Sequence, residues 1–332
     1  VEDKLKLWLD ASNIRGQNND GINDGELISA WFDLSGNSNH MKTLGRPPVY
    51  KDTGFNNQEV IDFDGDKYLV ADSFDSTSEV TVFAIFQPKN TWGTWGYIFG
   101  HGNRDGNWSF ERMSNSKNFN FQTANDNANV LIPPHYNEPY LMTGKIENQK
   151  IRTLHLYSQT GGHESIENFS GGSKQIAKDV FRIGYSQNGS EYSDVKISEL
   201  IYFTTVLSDS EIIAVTHYLA KKWGLTEIID SDNDGFMDSV ELSFGTSAID
   251  PSSKPEAPTN ITVTNGSLVT PTITSGGSAV TLSAQDNFEL NGDKVMVFKY
   301  RDNNNNGSGQ TEYVLEFPEN IIANVLVVAG GG

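Results

Sequence analysis

The stretch VKISELIYFTTVLSDSEIIAVTHYLAKKW, residues 195–223, combines two different periodicities. Its first nine residues, Val195–Phe203, are rich in β-branched and aromatic side chains, which favour a strand. Ser208 and Glu211 then match a capping box, whose two side chains satisfy free N–H groups at the start of a helix. Apolar residues follow at helical spacing, at Ile212, Val215 and Leu219. The stretch therefore predicts a strand followed by a helix that packs on a sheet by its apolar face.

The sequence before this stretch consists of short apolar runs separated by turns. Strands are predicted at residues 60–63, 80–87, 97–100, 140–146 and 151–158, among others. Glycine, asparagine, aspartate and serine separate the runs at intervals of roughly ten residues, as in all-β sandwiches. Residues 1–226 are therefore predicted to form one all-β antiparallel sandwich rather than alternating strands and helices.

Four motifs occur in a recognisable order. They are LWLDAS at residues 7–12, WFDLSGNSNH at 31–40, VIDFDG at 60–65, and the strand and helix of 195–223. This order resembles the concanavalin A-like, laminin G-like jelly-roll domains of secreted bacterial polysaccharide-binding and adhesive proteins. The resemblance implies a jelly-roll sandwich with one C-terminal helix. It does not select a function, because the superfamily includes lectins, binding modules, hydrolases and lyases.

The composition excludes several classes of partner. The chain has 332 residues, of which 24 are basic and 43 acidic, giving a formal net charge of −19. Nucleic acids and anionic membranes bind basic surfaces, so neither is an expected partner. No apolar run is long enough to insert in a membrane. Cysteine is absent, which excludes disulfides and thiolate metal sites. This composition is typical of a secreted β-protein, and the laminin G-like resemblance implies a bacterial protein located outside the cell or at its surface.

A second motif, DSDNDGFMDSVE at residues 230–241, has the spacing of a calcium-binding loop. Acidic residues occupy positions 1, 3, 5, 9 and 12, and a glycine occupies position 6, where the chain turns sharply. Calcium takes six to eight oxygen ligands, whereas zinc prefers nitrogen and sulfur. The alternative is a solvated acidic linker. The predicted ligands are Asp230, Asp232, Asp234, the carbonyl of Phe236, Asp238 directly or through water, and Glu241 with both oxygens.

The residues after this loop are too short and too interrupted by glycine and proline for a full second helix. They read E-x-x-x-G-T-x-x-x-x-P from Glu241 to Pro251. Loop and tail together resemble the bacterial thrombospondin type 3 repeat, whose copies are extracellular spacers stiffened by calcium. The resemblance implies that residues 227–256 form a calcium-rigidified linker that fixes the angle between two domains.

Residues 257–332 are predicted to form a second, small β-sandwich-like domain. The segment PEAP at 255–258 reads as a linker, and several short apolar runs follow it. The ending VLVVAGGG, residues 325–332, resembles the entry to glycine-rich regions of large bacterial surface proteins. We therefore expect this domain to be truncated and to be joined to further domains of a larger parent chain.

The sequence contains no catalytic constellation. Jelly-roll glycosidases carry carboxylates in an E-x-D-x-x-E or E-x-D-x-E run, since a retaining pair needs carboxyl groups about 5 Å apart. No such run is present. Glu199 is expected to share a strand face with Val195, Ile197 and Ile201 and to be a buried carboxylate satisfied by backbone donors. The six histidines show no metal-binding spacing, and Tyr136 or Tyr140 as the base of a lyase is not selected by any pattern.

Candidate ligand-binding residues lie in two loops rich in glycine and polar residues. Exposed aromatic rings pack against the apolar faces of sugars, and planar polar side chains bind sugar hydroxyls. Trp92 and Trp95 are surrounded by loop residues and are the predicted platform. The accompanying candidates are Arg104, Asp105, Asn107, Trp108 and Arg112. For Trp108 the alternation of the sequence equally allows burial in a strand.

These observations favour a non-catalytic module that binds a polysaccharide or cell-surface glycan, or another surface ligand, with a calcium-rigidified linker. A polysaccharide-active hydrolase or lyase is the first alternative. A structural spacer of a large adhesin is the second.

Overall fold

The computed structural model describes residues 4–16, 19–89, 96–102, 108–112, 119–123, 136–148, 151–158, 161–168, 178–186 and 191–255, together with five short strands after residue 271. Contacts divide the chain into two units, Val1–Pro255 and Glu256–Gly332. The loop 230–241 belongs to the first unit, with the strands that precede it. None of the helices in these described ranges is long and apolar enough to cross a membrane.

The described residues of the first unit form fifteen strands and two α-helices. The strands are β1 (Leu5–Asp10), β2 (Ala30–Trp31), β3 (Met41–Lys42), β4 (Val49–Lys51), β5 (Val60–Phe63), β6 (Leu69–Asp75), β7 (Val80–Pro88), β8 (Gly96–His101), β9 (Trp108–Arg112), β10 (Phe119–Thr123), β11 (Tyr140–Glu147), β12 (Ile151–Ser158), β13 (Gly161–Asn168), β14 (Lys178–Ile183) and β15 (Val195–Phe203). The helices are α1 (Asp209–Lys222) and α2 (Asp238–Phe244), and short 3-10 helices lie at Ala11–Gly16 and Phe55–Asn57.

Two antiparallel sheets contain these strands. Sheet A has the order β13-β12-β11-β7-β15-β5-β4, and β1 also pairs with β15. Sheet B has the order β10-β9-β8-β14-β6-β3-β2. The predicted all-β antiparallel sandwich is therefore confirmed. Helix α1 begins with the predicted capping box, since Ser208 and Glu211 satisfy each other's main-chain N–H groups.

The second unit is described only through short strands. These are β16 (Thr272–Ser275), β17 (Ser278–Ala279), β18 (Asn287–Leu290), β19 (Asp293–Met296) and β20 (Val314–Glu316). They form two small antiparallel sheets, β17-β16-β20 and β18-β19. The β character of this unit agrees with the sequence, and its arrangement as a sandwich stays a prediction.

Sheet A buries both of its faces, which explains the continuous apolar run of β7. Val82, Ala84 and Phe86 belong to the core between the two sheets, whereas Phe83 and Ile85 belong to a second core under α1. Successive side chains of a strand point to opposite faces, so a strand covered on both sides is apolar throughout. The second core also contains residues from α1 and from the segment after it, namely Leu219, Trp223, Leu225 and Ile229.

A β-bulge in β15 determines which of its residues face α1. The pairing of β15 with β7 shifts register between Ile197 and Glu199. Ile197 and Leu200 therefore both belong to the core between the sheets, although they are three residues apart. Glu199 faces α1 instead. The prediction that Glu199 shares a face with Val195, Ile197 and Ile201 is wrong for Val195 and Ile197, because it assumed an uninterrupted alternation. It is correct for Ile201, which belongs to the core under α1.

Glu199 fastens α1 to sheet A. Its carboxylate is fully buried and accepts hydrogen bonds from the indole N–H groups of Trp8 (2.8 Å) and Trp223 (2.6 Å) and from the ammonium of Lys222 (2.7 Å). Lys222 also donates to Asp10 at 2.6 Å. The predicted burial of Glu199 is correct, but these donors are side chains rather than the expected backbone groups. They come from β1, from the end of α1 and from the residue that follows it.

The motif WFDLSGNSNH forms a loop that covers the free edge of β1. Asp33 organises it, since its carboxylate accepts from the main-chain N–H of Trp8 (3.0 Å), of Ser35 (2.9 Å) and of Asn39 (2.9 Å). The side-chain amides of Asn37 and Asn39 then donate to the main-chain carbonyls of residues 5 and 6, at 2.7 and 2.8 Å. The loop thereby occupies acceptors that an exposed strand edge would offer to another chain.

Candidate metal centre and ligand-binding residues

The acidic loop follows α1 after a short segment, residues 223–229, and belongs to the first unit. Leu225 and Ile229 are buried in the core under α1. Main-chain hydrogen bonds join Asp238 N–H to the carbonyl of Ile229 (2.8 Å) and Ser239 N–H to the carbonyl of Thr226 (3.0 Å). Helix α2 then has only seven residues, as the broken sequence after Glu241 predicts. Both ends of the loop are therefore anchored.

The backbone of the loop turns where the calcium motif requires it. Gly235, at position 6, has a φ of +100°, which glycine adopts far more readily than other residues. The carboxylate of Asp230 accepts from the main-chain N–H groups of Asp234 (3.1 Å) and Gly235 (2.8 Å). Asp234 accepts in turn from the N–H of Phe236 (2.9 Å). These bonds fold the loop around its own acidic side chains.

Three predicted ligands converge inside this turn, and a fourth, Glu241, lies near enough that, besides burial, their charges raise its pKa. Carboxylate oxygens of Asp230, Asp232 and Asp234 lie within 4.8 Å of one another. Glu241 is fully buried beside them and Asp232 is 6% exposed. Five buried oxygens have no hydrogen-bond donor: both of Asp232, both of Glu241 and Oδ2 of Asp234. A basic group approaches one of them, since Lys254 Nζ lies 4.0 Å from Asp234 Oδ2.

The clustered carboxylates are electrostatically unfavourable by themselves. Burial and the neighbouring carboxylates of Asp232 and Asp234 raise the pKa of Glu241 to about 8. Burial, followed by Asp234 and Asp230, raises the pKa of Asp232 to about 6. Burial also raises the pKa of Asp230. Both causes disfavour the charged form, and a cation among the oxygens would reverse this.

The donor set fits a hard divalent cation. It consists of carboxylate oxygens, with the main-chain carbonyl of Phe236 as a further predicted ligand, and it contains no nitrogen or sulfur. Calcium accepts such sets in flexible arrangements of six to eight oxygens, whereas magnesium demands nearly ideal octahedral geometry and retains waters. A calcium ion would supply the positive charge that these unpaired buried oxygens lack.

Asp238 differs from Asp232, Asp234 and Glu241, which each have at least one oxygen without a donor. Its Oδ1 accepts from the main-chain N–H of Ser231 at 2.8 Å. Its Oδ2 accepts from the hydroxyl of Ser231 (2.7 Å) and lies 2.8 Å from Nδ1 of His217 in α1. The side chain is fully buried. Position 9 of the loop is thus occupied by a carboxylate that is already bound to protein groups, which spacing alone does not reveal.

The predicted glycan platform lies mostly outside the described residues. This applies to Trp92, Trp95, Arg104, Asp105 and Asn107. Trp108 and Arg112 are described.

Trp108 is 1% exposed and packs against Phe121 and Tyr202 in the core between the sheets. Arg112 is 3% exposed and donates to the hydroxyl of Tyr136 at 3.4 Å. As placed, neither side chain offers a surface to a glycan, because the strand alternation of β9 turns both of them inward.

A row of three partly exposed tyrosines was not predicted from the sequence. The ring of Tyr185 lies 4.9 Å from the ring of Tyr68 and 4.9 Å from the ring of Tyr192, measured between centroids. Tyr185 and Tyr192 also form an isolated β-bridge. The three residues lie 117 and 7 positions apart in the sequence, so no local period connects them.

The tyrosine row lies beside both flanks of the segment that contains Trp92 and Trp95. Lys89, on one flank, donates its main-chain N–H to the carbonyl of Asp194 at 3.0 Å. Tyr97, on the other flank, accepts a hydrogen bond on its main-chain oxygen from the hydroxyl of Ser193. Ser193 and Asp194 directly follow Tyr192. The described residues on both sides of this segment, Lys89 and Tyr97, therefore contact the residues that directly follow Tyr192.

With the fold and these sites described, the chain can be compared with known proteins. Residues 63–213 match the concanavalin A-like lectin/glucanases superfamily. The matching model is the one for its laminin G-like members, and it supports the jelly-roll resemblance over that part of the chain. The thrombospondin type 3 and glycine-rich resemblances stay predictions. No curated protein sequence matches the chain.

Several solved structures resemble the fold at low sequence identity. The binding domain of botulinum neurotoxin DC, in complex with SialylT, gives a TM-score of 0.46 and 11% identity over 66% of this chain and 52% of that chain. The Trypanosoma rangeli sialidase, in complex with sialic acid, gives a TM-score of 0.43 and 12% identity over 66% of this chain and 33% of that chain. The jelly roll thus spans about half the length of the neurotoxin chain and a third of the sialidase chain. At this level of similarity, neither ligand nor activity transfers.

Proposed function

We propose that the first unit is a calcium-binding, non-catalytic module in which residues 230–241 hold one Ca²⁺ ion. The observation that carries the calcium proposal is the set of five buried carboxylate oxygens without a donor. Leaving such groups unpaired is costly, because each loses its hydration without compensation. Asp230, Asp232, Asp234 and Glu241 would hold the ion, with the carbonyl of Phe236. The ion would neutralise the cluster and hold the loop closed, and it has no catalytic role in this proposal.

The calcium proposal predicts a large loss of affinity in Asp232→Ala. Both oxygens of Asp232 are buried and unpaired, so their removal should weaken calcium binding by on the order of 100-fold. Isothermal titration of calcium into protein freed of divalent ions measures this. Asp66→Ala is the matched control, since it removes the same charge from a surface ion pair with Arg46. Equal affinity in the two variants, or no binding by the unmodified protein, would refute the proposal.

We further propose that the jelly roll binds a glycan or another surface ligand of an extracellular or cell-surface bacterial protein. Two observations support this: the match of residues 63–213 to a superfamily that includes lectins, and the tyrosine row. Tyr185 is stacked on Tyr192 and tilted against Tyr68, which leaves ring edges and hydroxyls for contact with a sugar. The exposed ion pair of Arg46 and Asp66 lies close by, because Tyr68 N–H donates to the carbonyl of Arg46 at 3.1 Å.

The carboxylate of Glu199 argues against catalysis at its position. It is buried under α1 and engaged by two indoles and an ammonium, so it has neither access to a substrate nor a free lone pair facing one. A hydrolase or lyase remains the first alternative, and a spacer of a large adhesin the second. The same proposal includes further domains in a parent chain and a spacer role for residues 227–256.

Retention in polysaccharide-containing native gels tests the glycan proposal. Gels cast with xylan, β-1,3-glucan, galactomannan or alginate should retard the protein in at least one case. The double variant Trp92→Ala/Trp95→Ala and the variant Tyr192→Ala should each bind about tenfold more weakly, equivalent to ~1.4 kcal/mol.

Leu27→Ala, which shortens an exposed apolar side chain that is not among the proposed binding residues, is the control and should not change retention. Unchanged mobility of the unmodified protein in all four gels would contradict glycan binding and favour the spacer. Release of reducing sugar from any of these polysaccharides would instead support the enzyme alternative.

A further inference from the structure

The carboxylate of Asp238 connects the acidic loop to α1 of the jelly roll. It receives three hydrogen bonds, two from Ser231 inside the loop and one from His217. An ionised carboxylate only accepts, so Nδ1 of His217 carries the proton in this contact. Three of about four acceptor positions of the carboxylate are thereby filled by protein donors. Asp232, Asp234 and Glu241 differ from it, because each has at least one buried oxygen without a donor. Asp230 accepts only from main-chain N–H groups of the loop, so Asp238 is the acidic residue of the loop that is seen to contact a side chain of α1.

We infer that Asp238 and His217 are positioning residues, which orient the loop for calcium and couple calcium binding to the docking of α1. This inference rests on the proposed calcium function. In this inference, Asp238 is not a ligand of the ion. It holds the loop that carries the ligands. Metal sites depend on such outer groups, and their loss typically weakens affinity by 10–100-fold although no ligand is removed.

The contacts from the loop to the jelly roll form a continuous path. His217 belongs to α1. In the last turn of this helix, Lys222 donates a hydrogen bond to the carboxylate of Glu199. The adjacent main-chain bonds of Asp238 and Ser239 hold the same turn against residues 226–229, which continue into the core under α1. Calcium binding that orders the loop should therefore also favour the docked position of α1. Because such coupling is reciprocal, weakening the link should reduce both calcium affinity and the stabilisation by calcium.

Terbium(III) luminescence distinguishes a positioning residue from a ligand. Terbium takes the place of calcium, and its lifetimes in H₂O and D₂O report how many waters remain bound to the ion. In Asp232→Ala, the loss of a ligand should lower affinity and increase the number of bound waters. In His217→Ala, the affinity should fall by about 10–100-fold while the number of bound waters stays the same. Asp238→Ala should behave like His217→Ala and not like Asp232→Ala.

Two further variants of α1 complete the experiment. His217→Asn retains a donor at the position of Nδ1 and should recover most of the affinity. Ala214→Gln changes an exposed position of the same helix and should have no effect. Calorimetry of the same proteins should show that calcium raises the unfolding temperature less in His217→Ala than in the unmodified chain. A structural role of His217 alone would change the temperature equally with and without calcium.

The outcomes separate this inference from the calcium proposal. If the unmodified protein does not bind terbium or calcium, the calcium proposal fails and the inference fails with it. If the unmodified protein binds and Asp232→Ala loses affinity, but His217→Ala binds normally, only the inference is overturned. Additional bound water in Asp238→Ala would also overturn it, by showing that Asp238 is a ligand. If Asp238→Ala does not fold, the pair His217→Ala and His217→Asn still decides the question.

Discussion

Replacement of Glu199 by alanine should destabilise the first unit by about 3 to 5 kcal/mol, the cost of removing one partner from a buried charged network. The substitution leaves the indole N–H groups of Trp8 and Trp223 without an acceptor and removes one of the two carboxylates that hold Lys222. Burial alone lowers the pKa of Lys222, but Glu199 and Asp10 together raise it above its usual value. The carboxylate of Glu199 and the ammonium of Lys222 thus compensate each other's cost of burial. Urea unfolding followed by tryptophan fluorescence measures the loss.

Two comparisons make this result specific to the network. Glu227→Ala removes an exposed glutamate of the same unit and should change the stability by less than about 0.5 kcal/mol. The double variant Glu199→Ala/Lys222→Met removes both members of the ion pair, and its loss of stability should be smaller than the sum of the losses in the two single variants, since the two residues interact directly. A loss below about 1 kcal/mol in Glu199→Ala would show that α1 does not depend on this carboxylate.

Local sequence patterns predicted the elements of the fold well, because each is determined by its own residues. The capping box of Ser208 and Glu211 and the apolar spacing after it give α1 at the predicted place. The run of β7 is continuously apolar because sheet A is covered on both faces. The face of Glu199 was not predictable in this way. It depends on a bulge against β7, and a bulge is a property of two paired strands rather than of one sequence.

The same distinction, between local patterns and contacts of distant residues, applies to the candidate sites. The twelve-residue spacing predicts the convergence of Asp230, Asp232, Asp234 and Glu241, since a loop of fixed length brings them together. The position of Asp238 depends on His217, which lies 21 residues earlier, and no local motif contains both. The tyrosine row likewise joins residues that are distant in sequence. Distant partners of this kind require the folded chain.

Removal of calcium with EGTA should lower the unfolding temperature of the first unit and expose the segment 230–255 to proteases. At a calcium concentration one hundred times the dissociation constant, bound calcium stabilises a protein by about 2.7 kcal/mol. For a unit of this size, that corresponds to a shift of roughly 5 to 10 °C. Without the ion, the carboxylates of Asp232, Asp234 and Glu241 face each other in a buried turn, and repulsion should open it.

The position of the first cleavages shows how far this loosening extends. Because Leu225 and Ile229 belong to the core under α1, opening of the loop should weaken the docking of α1 as well as the segment after it. Mass spectrometry of the fragments should therefore place the first cleavages in EGTA after residue 229 and later ones within α1 and residues 223–229. The strands of sheets A and B should remain protected. Asp232→Ala, with a site about 100-fold weaker, should show this pattern in part already in calcium and should respond less to EGTA than the unmodified protein. An identical cleavage pattern and unfolding temperature with and without calcium would mean that the acidic loop holds its shape without an ion.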